Sequence, residues 1–325
     1  MRSSTVRIRP LAALSVAALS VLLLAGCSGA SEPDASGTQT PAAGECTFGA
    51  PSGATSDAIE VEGVGAAATV TVPADLEFAE LERTVLSEGD GEEIVAGDLV
   101  TVTYQIVDAA TGEVLEDSAT SPAGDGEIVP MLLDPQAMSI FVAALECAPL
   151  GSQSVLAIPG AMLGEGAASV VVVAQAEETL PTVATGADQE PVAGMPAVTL
   201  DEDGKPTITI PDADAPATVE IALLKKGDGE TVAAGDAVVV QYEGVKWSDG
   251  TVFDGSWQRG TPSQFQTTGV VAGFRQALEG QQVGSQVLVV IPPEFGYGEK
   301  EGDALQFETL VFVVDILAVQ HAATQ

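Results

Sequence analysis

At residues 249–256 the chain reads Asp249-Gly250-Thr251-Val252-Phe253-Asp254-Gly255-Ser256. The Asp-Gly pair that opens this stretch is typical of a tight turn next to a strand. Shortly before it, apolar residues alternate in Val238-Val239-Val240-Gln241-Tyr242, which is the pattern of a strand. This part of the chain therefore predicts β-structure organised around a turn.

Three further segments on the C-terminal side complete the same unit. Residues Val271 to Glu279 predict a short helix with one apolar face. Val287 to Ile291 predicts a buried strand that Pro292-Pro293 ends, and Leu310 to Leu317 predicts another, nearly continuous apolar strand. The expected fold class is α+β, a curved antiparallel β-sheet wrapped around a short helix.

The chain contains an internal repeat, which indicates two tandem domains. The matching segments are Thr69–Pro73 with Thr207–Pro211, Glu88–Glu92 with Lys226–Glu230, Gly151–Gln153 with Gly284–Gln286, and Ile158-Pro159 with Ile291-Pro292. The offset is 138 residues in the first two pairs and 133 in the last two. We expect a first domain over residues 46–178, a linker over 179–197 and a second domain over 198–320.

Residues 1–27 are predicted to be a targeting segment. Three arginines precede an apolar run from Leu11 to Leu24, which is too short to span a bilayer comfortably. The run ends in Leu24-Ala25-Gly26-Cys27, which resembles the bacterial lipobox, and this resemblance implies lipidation of Cys27. The alternative is an ordinary signal peptide in which that cysteine is incidental. Residues 28–45 predict a flexible tether, so we expect an extracytoplasmic protein that is lipid-anchored to the bacterial cell membrane.

Two cysteines remain in the globular part, Cys46 and Cys147. Outside the cytoplasm such a pair usually forms a disulfide. A bridge between them would tie the N-terminal strand to the body of the first domain and close a loop of about 100 residues. Two buried thiols are the alternative.

Charge and histidine content exclude several classes of function. The formal net charge is −36, and removal of the three N-terminal arginines takes it to −39. Such a surface repels phosphate backbones and anionic lipids, so we expect no nucleic-acid partner and membrane contact only through the anchor. The single histidine, His321, is expected in a frayed tail. Histidine-based catalysis and metal binding are therefore not expected, and neither is a cofactor.

The second copy, Val219 to Val319, contains five motifs that together resemble the FKBP-type peptidyl-prolyl cis–trans isomerases. They are Val240-Gln241-Tyr242-Glu243-Gly244, the opening stretch Asp249–Ser256, Val270-Val271-Ala272-Gly273-Phe274, Ile291–Gly298 and Leu310–Ile316. One such motif is weak evidence, but five in family order over about 100 residues are specific. The resemblance implies isomerisation of X–Pro bonds in an apolar pocket, without a nucleophile.

The resemblance also implies a role for each matching residue. Phe274 would form the floor of the pocket. Its walls would be Tyr242, Phe253, Val270, Val271 and Phe312. Tyr297 would donate a hydrogen bond to a substrate carbonyl, the Val271 N–H would bind a second carbonyl, and Asp254 would orient the pocket. The implied partners are proline-containing polypeptides and macrolide inhibitors.

Both copies depart from the family pattern. In the second, Ser263 replaces a pocket aromatic and the segment 299–306 is acidic, which predicts a more open pocket and a modest enzyme. In the first, Leu115 and Glu116 stand where Phe253 and Asp254 stand, and Met162-Leu163-Gly164 replaces the tyrosine loop. We expect little or no isomerase activity there. The alternative function is a non-catalytic extracytoplasmic chaperone or peptide-binding module.

Overall fold

The computed structural model describes residues 47–121, 128–135, 140–298 and 300–322. The predicted targeting segment, the tether, Cys27 and Cys46 lie outside the described residues. Cys147 is described, but its pairing with Cys46 and the domain boundaries remain predictions. Within the described ranges, no helix is long and apolar enough to cross a membrane.

The first half of the chain forms a six-stranded antiparallel sheet and a separate two-stranded hairpin. Its strands are β1 (Glu60–Glu62), β2 (Thr69–Thr71), β3 (Glu82–Ser87), β4 (Leu99–Asp108), β5 (Val114–Asp117), β6 (Val129–Leu132), β7 (Gln153–Ile158) and β8 (Val170–Thr179). Its helices are α1 (Ala54–Asp57), α2 (Ile140–Leu145) and α3 (Gly160–Leu163). The sheet order is β3-β7-β8-β4-β5, and β6 also pairs with β4.

The second half repeats this architecture, and its strands β13 and β17 are more completely buried than their counterparts β4 and β8. Its strands are β9 (Ala187–Asp188), β10 (Ala197–Leu200), β11 (Pro206–Thr209), β12 (Glu220–Lys226), β13 (Ala237–Lys246), β14 (Val252–Gly255), β15 (Ser263–Gln266), β16 (Gln286–Ile291) and β17 (Leu310–Gln320), and its helix is α4 (Ala272–Leu278). The order β14-β13-β17-β16-β12-β9, with β15 also on β13, matches that of the first sheet apart from β9. The predicted fold class is confirmed.

One face of the second sheet holds the helix, because alternate residues of its strands point toward α4. Phe274, Ala277 and Leu278 of α4 pack against alternating strand residues such as Tyr242 and Phe312. A register shift between Val239 and Val240 interrupts the pairing of β13 with β17, and bulges of this kind increase the local twist of a strand.

The hairpins β1–β2 and β10–β11 cover the opposite faces of the two sheets. Val198 and Ile208 of β10–β11 pack against Leu288, Val290 and Val311 of the second sheet. Strands β16 and β17 are therefore buried on both faces, which explains why their sequence is a nearly continuous apolar run rather than an alternating one. The repeat of Thr69–Pro73 at Thr207–Pro211 marks these hairpins in the sequence.

The two sheets share an apolar cluster and belong to one compact unit, Ala42–Gln325. Leu99 and Leu132 of the first sheet pack with Val239 and Leu317 of the second. The Gln320 side-chain amide also donates a hydrogen bond of 2.5 Å to the Pro130 carbonyl. The two domains are thus held against each other.

The expectation that His321 lies in a frayed tail is wrong. Its Nδ1 lies 2.8 Å from Oδ2 of the buried Asp236, and the Ala322 N–H donates to Oδ1 of the same carboxylate at 3.0 Å. Asp236 follows a turn just before β13, and this distant partner fixes His321 and Ala322.

Candidate active site

All eight sequence-predicted pocket residues line one cavity of about 210 Å³ on the helix side of the second sheet. They are Tyr242, Phe253, Asp254, Val270, Val271, Phe274, Tyr297 and Phe312. Strands β13, β14 and β17 supply four of them, and the helix and its entry supply three more. The structure brings these residues together as the motifs predicted, although the role of each remains a prediction.

Edge-to-face aromatic contacts fix the shape of the pocket. The rings of Phe274 and Phe312 lie 5.0 Å apart at 76°, and those of Phe253 and Phe312 lie 5.4 Å apart at 81°. Tyr242 packs against Phe265 in the same manner, at 5.7 Å. Each such pair contributes about 0.5–1.5 kcal/mol beyond the burial of its surface. The pocket is therefore bounded by rings that hold one another in place.

Glycine at position 244 is required for this ring arrangement. A Cβ there would lie 2.7 Å from Cε1 of Phe312 and 3.0 Å from Cζ of Phe253. In the second sheet Gly244 pairs directly with Phe312. Only a residue without a side chain lets both rings approach the β13 backbone.

Asp254 is the acceptor at the centre of a polar network on one wall. The Tyr242 hydroxyl donates to its Oδ2 at 2.6 Å, Arg259 Nη1 donates to Oδ1 at 3.0 Å, and the Gly255 N–H donates to Oδ1 at 2.8 Å. Partial burial opposes the charged carboxylate, but these hydrogen bonds outweigh it and lower the pKa of Asp254. The carboxylate is thus charged at neutral pH.

The same network keeps Tyr242 protonated. Burial, followed by the hydrogen bond to Asp254, raises the pKa of Tyr242 to about 12. Arg259 Nη2 also donates to the Tyr242 hydroxyl at 3.0 Å and to Ser263 Oγ at 2.9 Å. The Tyr242 hydroxyl thus donates to Asp254 and accepts from Arg259 within the wall, while its ring lines the cavity.

Tyr297 differs, because its hydroxyl has no hydrogen-bond partner among the described residues. The one-turn helix Pro293–Phe295 positions it, and the Gly298 N–H closes the loop on the Pro293 carbonyl at 2.7 Å. Burial, with Asp254 and Asp303 nearby, raises the pKa of Tyr297. The group is therefore a protonated donor facing the cavity, free to bind an acceptor.

Sequence reasoning missed Phe265, Gly269 and Lys300, which also line the cavity. Phe265 lies two residues beyond Ser263, on the same face of β15, so strand alternation could have identified it. Ser263 itself binds Arg259 and does not line this cavity. Lys300 Nζ lies 4.7 Å from the centre of the Tyr297 ring, a cation–π contact that no motif marks.

The first domain retains only part of this arrangement. Its Tyr104 hydroxyl donates to Glu116 at 2.6 Å, and Tyr104 packs edge-to-face on Phe141 at 5.0 Å. Leu115, in the place of Phe253, is 55% exposed. The loop after β7 carries Met162 and Leu163 and no tyrosine. The described residues also include no group of three or more acidic, histidine or cysteine side chains placed to hold a metal ion.

Comparison with known proteins agrees with the family resemblance of the sequence motifs. The model of the FKBP-type peptidyl-prolyl cis-trans isomerase family matches residues 228–317. An FK506-binding protein of Streptomyces anulatus is 40% identical over 120 residues, which are 35% of this chain and 97% of the relative. A protein described as a probable FK506-binding protein of Corynebacterium glutamicum is 39% identical over 115 residues, 35% of this chain and 98% of its own length.

Among solved structures, that of FkpA from Escherichia coli is 31% identical to the matched part of this chain. The match covers 40% of this chain and 54% of FkpA, with a TM-score of 0.31. That overlap is too small to compare the two architectures as a whole.

Proposed function

Since the chain belongs to the family of FKBP-type peptidyl-prolyl cis-trans isomerases, we propose that its second domain catalyses rotation about X–Pro bonds in the pocket around Phe274. One observation carries this proposal. A small cavity is walled by rings that pack edge to face, and one of its two tyrosine hydroxyls, that of Tyr297, is protonated and has no hydrogen-bond partner among the described residues.

The reaction requires this kind of site because no bond to a heavy atom breaks. Partial double-bond character gives the X–Pro amide a rotation barrier of about 18–20 kcal/mol. At the top of the barrier the amide is twisted and its resonance is lost. A site that binds the twisted form better than the planar form accelerates the rotation. The proline ring enters between Phe274, Phe312 and Phe253.

Tyr297 and Val271 hold the peptide on either side of that ring. The Tyr297 hydroxyl donates to one substrate carbonyl. The Val271 N–H, at the residue before α4, takes part in none of the backbone hydrogen bonds between described residues and donates to a second carbonyl. Fixing the two carbonyls leaves the X–Pro bond as the free torsion. Asp254 acts indirectly, because it holds the Tyr242 ring and Arg259 in the wall.

The volume of the cavity limits which partners can bind in it. Sites for drug-sized ligands measure roughly 300–1,000 Å³, whereas this cavity measures about 210 Å³. It accepts one side chain of a polypeptide with its flanking backbone. We propose proline-containing polypeptides as the substrates, and macrolides as inhibitors that insert one ring and leave most of their surface outside.

The proposed location is extracytoplasmic, with a lipid on Cys27 holding the protein at the bacterial cell membrane. The support is the lipobox-like Leu24-Ala25-Gly26-Cys27 after an apolar run. Replacement of Cys27 by Ala would then release the protein from the membrane fraction. Membrane association of the C27A variant equal to that of the unchanged protein would contradict the anchor.

A protease-coupled assay on an X–Pro peptide tests the activity. The protein is residues 28–325, which contain the whole compact unit. We expect a rate that rises linearly with protein concentration and falls in Tyr297→Phe. A rate equal to the uncatalysed one would reject the proposal and favour a non-catalytic peptide-binding module.

A further inference from the structure

The first domain contains an apolar cavity of about 580 Å³ that is not the counterpart of the catalytic pocket. Its lining includes Phe48, Ile140, Val142, Met162 and Leu163. Neither Tyr104 nor Phe141, the counterparts of Tyr242 and Phe274, lines it. We call this cavity the apolar exosite.

Several large apolar side chains at the exosite are exposed. Met162 is 59% exposed, Leu163 46% and Phe48 42%. Clustered exposed apolar residues on a protein with a net charge of −36 indicate a binding surface rather than a core. Methionine adapts its shape to different partners, which suits a site that receives variable side chains.

The exosite is a feature of the first copy alone. The repeat places Val142 and Ala143 of α2 where α4 carries Arg275 and Gln276, and both of those polar residues are exposed. The loop that presents Tyr297 in the second domain presents Met162 and Leu163 in the first. Where the second copy has a polar helix face and the Tyr297 loop, the first copy thus has a helix face that is apolar and buried at Val142 and Ala143 and a loop that exposes Met162 and Leu163.

A third cavity, of about 640 Å³, lies between the domains and is adjacent to the other two. It shares Pro135 with the exosite and Phe265 with the catalytic pocket. Its walls also carry polar side chains, including Arg259, Ser263 and Gln264. The described residues therefore outline three adjacent cavities, and the middle one mixes polar with apolar walls.

Contacts between the domains hold this row of cavities in place. Gly97 of the first domain lies against Thr261 of the second so closely that a Cβ on Gly97 would be 2.8 Å from Thr261 Cγ2. Thr261 itself lines the middle cavity. Together with the shared apolar cluster of Leu99, Leu132 and Leu317, this contact keeps the exosite at a fixed position relative to the catalytic pocket.

We propose that the apolar exosite binds a large apolar side chain of the same unfolded polypeptide whose X–Pro bond occupies the catalytic pocket. An extended polypeptide fits this row of cavities, because its side chains fill the two outer cavities while its intervening backbone hydrogen-bonds to Arg259, Ser263 or Gln264 in the middle one. This inference rests on the proposed function of the second domain and assigns substrate capture to the first.

The expected kinetic signature follows from where the binding energy acts. The exosite contacts the substrate away from the rotating bond, equally in the planar and twisted states, so it lowers KM and leaves kcat unchanged. Because the link between the two sites is intramolecular, the gain depends on the length of the connecting segment and is largest when that segment matches the span.

Two peptide families test the proposal on residues 28–325. The first is a short X–Pro peptide. The second is the same peptide extended by a Gly/Ser spacer of stepwise increasing length that ends in Leu, with Ser-ended peptides as controls. We expect kcat/KM for the best Leu-ended peptide to exceed that for the short one by about tenfold, as burial of one such side chain allows.

The measured quantity is the ratio of kcat/KM for the extended Leu-ended peptide to kcat/KM for the short peptide. Met162→Glu and Leu163→Glu are expected to reduce this ratio to about the value found with the Ser-ended peptides. Val192→Glu is the matched control, because Val192 is 53% exposed and lines none of the three cavities. It should leave the ratio unchanged. A ratio near one in the unchanged protein, or a ratio that M162E and L163E leave intact, would overturn the proposal.

Binding of a fluorescent Leu-ended peptide, measured by fluorescence anisotropy, tests this inference independently of the proposed catalysis. If no peptide is turned over, the proposed function fails. Tighter binding of the Leu-ended peptide than of the Ser-ended one, lost in M162E, would then still support the exosite. Equal binding of the two peptides would reject it.

Discussion

The Tyr242 hydroxyl donates a 2.6 Å hydrogen bond to the Asp254 carboxylate. The first domain keeps the same relationship at the same distance, between Tyr104 and Glu116. This pair therefore organises the wall of both copies and does not distinguish the second domain from the first. The two copies differ in the ring cluster around Phe274 and in the Tyr297 hydroxyl, for which the described part of the chain offers no hydrogen-bond partner.

Asp254→Asn is expected to loosen the pocket wall. The amide keeps the shape of the carboxylate but loses its charge, so the bonds from Tyr242 and Arg259 weaken. Because the Asp254 side chain is 47% exposed, the loss of unfolding free energy is small, about 1 kcal/mol. We expect transition-state binding to lose a similar free energy, so kcat/KM should fall by up to about tenfold. Urea unfolding and the peptide assay measure both, and an unchanged kcat/KM would contradict the wall-holding role.

The same residue predicts a pH dependence of stability. The pKa of Asp254 is lower in the folded than in the unfolded chain, so the folded state favours the charged form. Its stabilising contribution is complete above the unfolded pKa of about 3.9 and is lost as pH falls through the folded value. The difference in unfolding free energy between the unchanged protein and D254N should therefore shrink below about pH 4. A difference that grows in acid would have the wrong sign.

Tyr297→Phe is expected to lower activity without lowering stability. The hydroxyl has no hydrogen-bond partner among the described residues, so its removal costs the folded state nothing. In catalysis it supplies one hydrogen bond worth about 0.5–1.5 kcal/mol, or up to about tenfold in kcat/KM. Tyr242→Phe is the matched control, because that hydroxyl is engaged by Asp254 and its removal should lower the unfolding free energy. A stability loss in Y297F as large as in Y242F would contradict this division.

Gly244→Ala is expected to disrupt the aromatic pocket. The new methyl group would overlap the rings of Phe312 and Phe253, and overpacking of this kind costs about 1–3 kcal/mol. Gly269→Ala is the control for stability, since no heavy atom lies within 4 Å of its added methyl group. Equal unfolding midpoints for the two variants in urea would show that the rings do not depend on Gly244.

The predicted disulfide between Cys46 and Cys147 has a measurable consequence. Glu146 accepts hydrogen bonds of 2.6 Å from the N–H groups of Phe48 and Gly49, so the chain just after Cys46 lies beside the residue that precedes Cys147. We expect thiol titration of denatured residues 28–325, which lack Cys27, to find no free thiol before reduction. Reduction should lower the unfolding free energy by about 4–5 kcal/mol in the chain-entropy model. Two free thiols in the unreduced protein would reject the bridge.

Much of the fold and site could be predicted because the information is local. The Asp249-Gly250 turn, the proline stop after β16 and the motif residues Phe253, Phe274 and Tyr297 each lie within a short recognisable stretch. The repeat also identified Thr207–Pro211, part of the β10–β11 hairpin, as equivalent to Thr69–Pro73. The place of this hairpin over the outer face of the sheet could not be read, because that depends on packing against Leu288 and Val311.

The features that sequence reasoning missed depend on partners far apart in the chain. His321 is fixed by Asp236, 85 residues away, so its position near the end of the sequence was misleading. Lys300 belongs to the site because it contacts the Tyr297 ring. Arg259 belongs to it because it donates hydrogen bonds to three acceptors around the pocket wall. The exosite likewise requires the first domain's helix and loop to be seen together.

The most direct test of the central claim is the cis–trans exchange rate of an X–Pro peptide, measured by exchange NMR without any protease. Uncatalysed exchange takes tens of seconds at 25 °C. We predict that residues 28–325 shorten this time in proportion to their concentration without changing the cis and trans populations, and that Phe274→Ala abolishes most of the effect. An exchange rate equal to that of the peptide alone would contradict the claim that the pocket around Phe274 is an isomerase site.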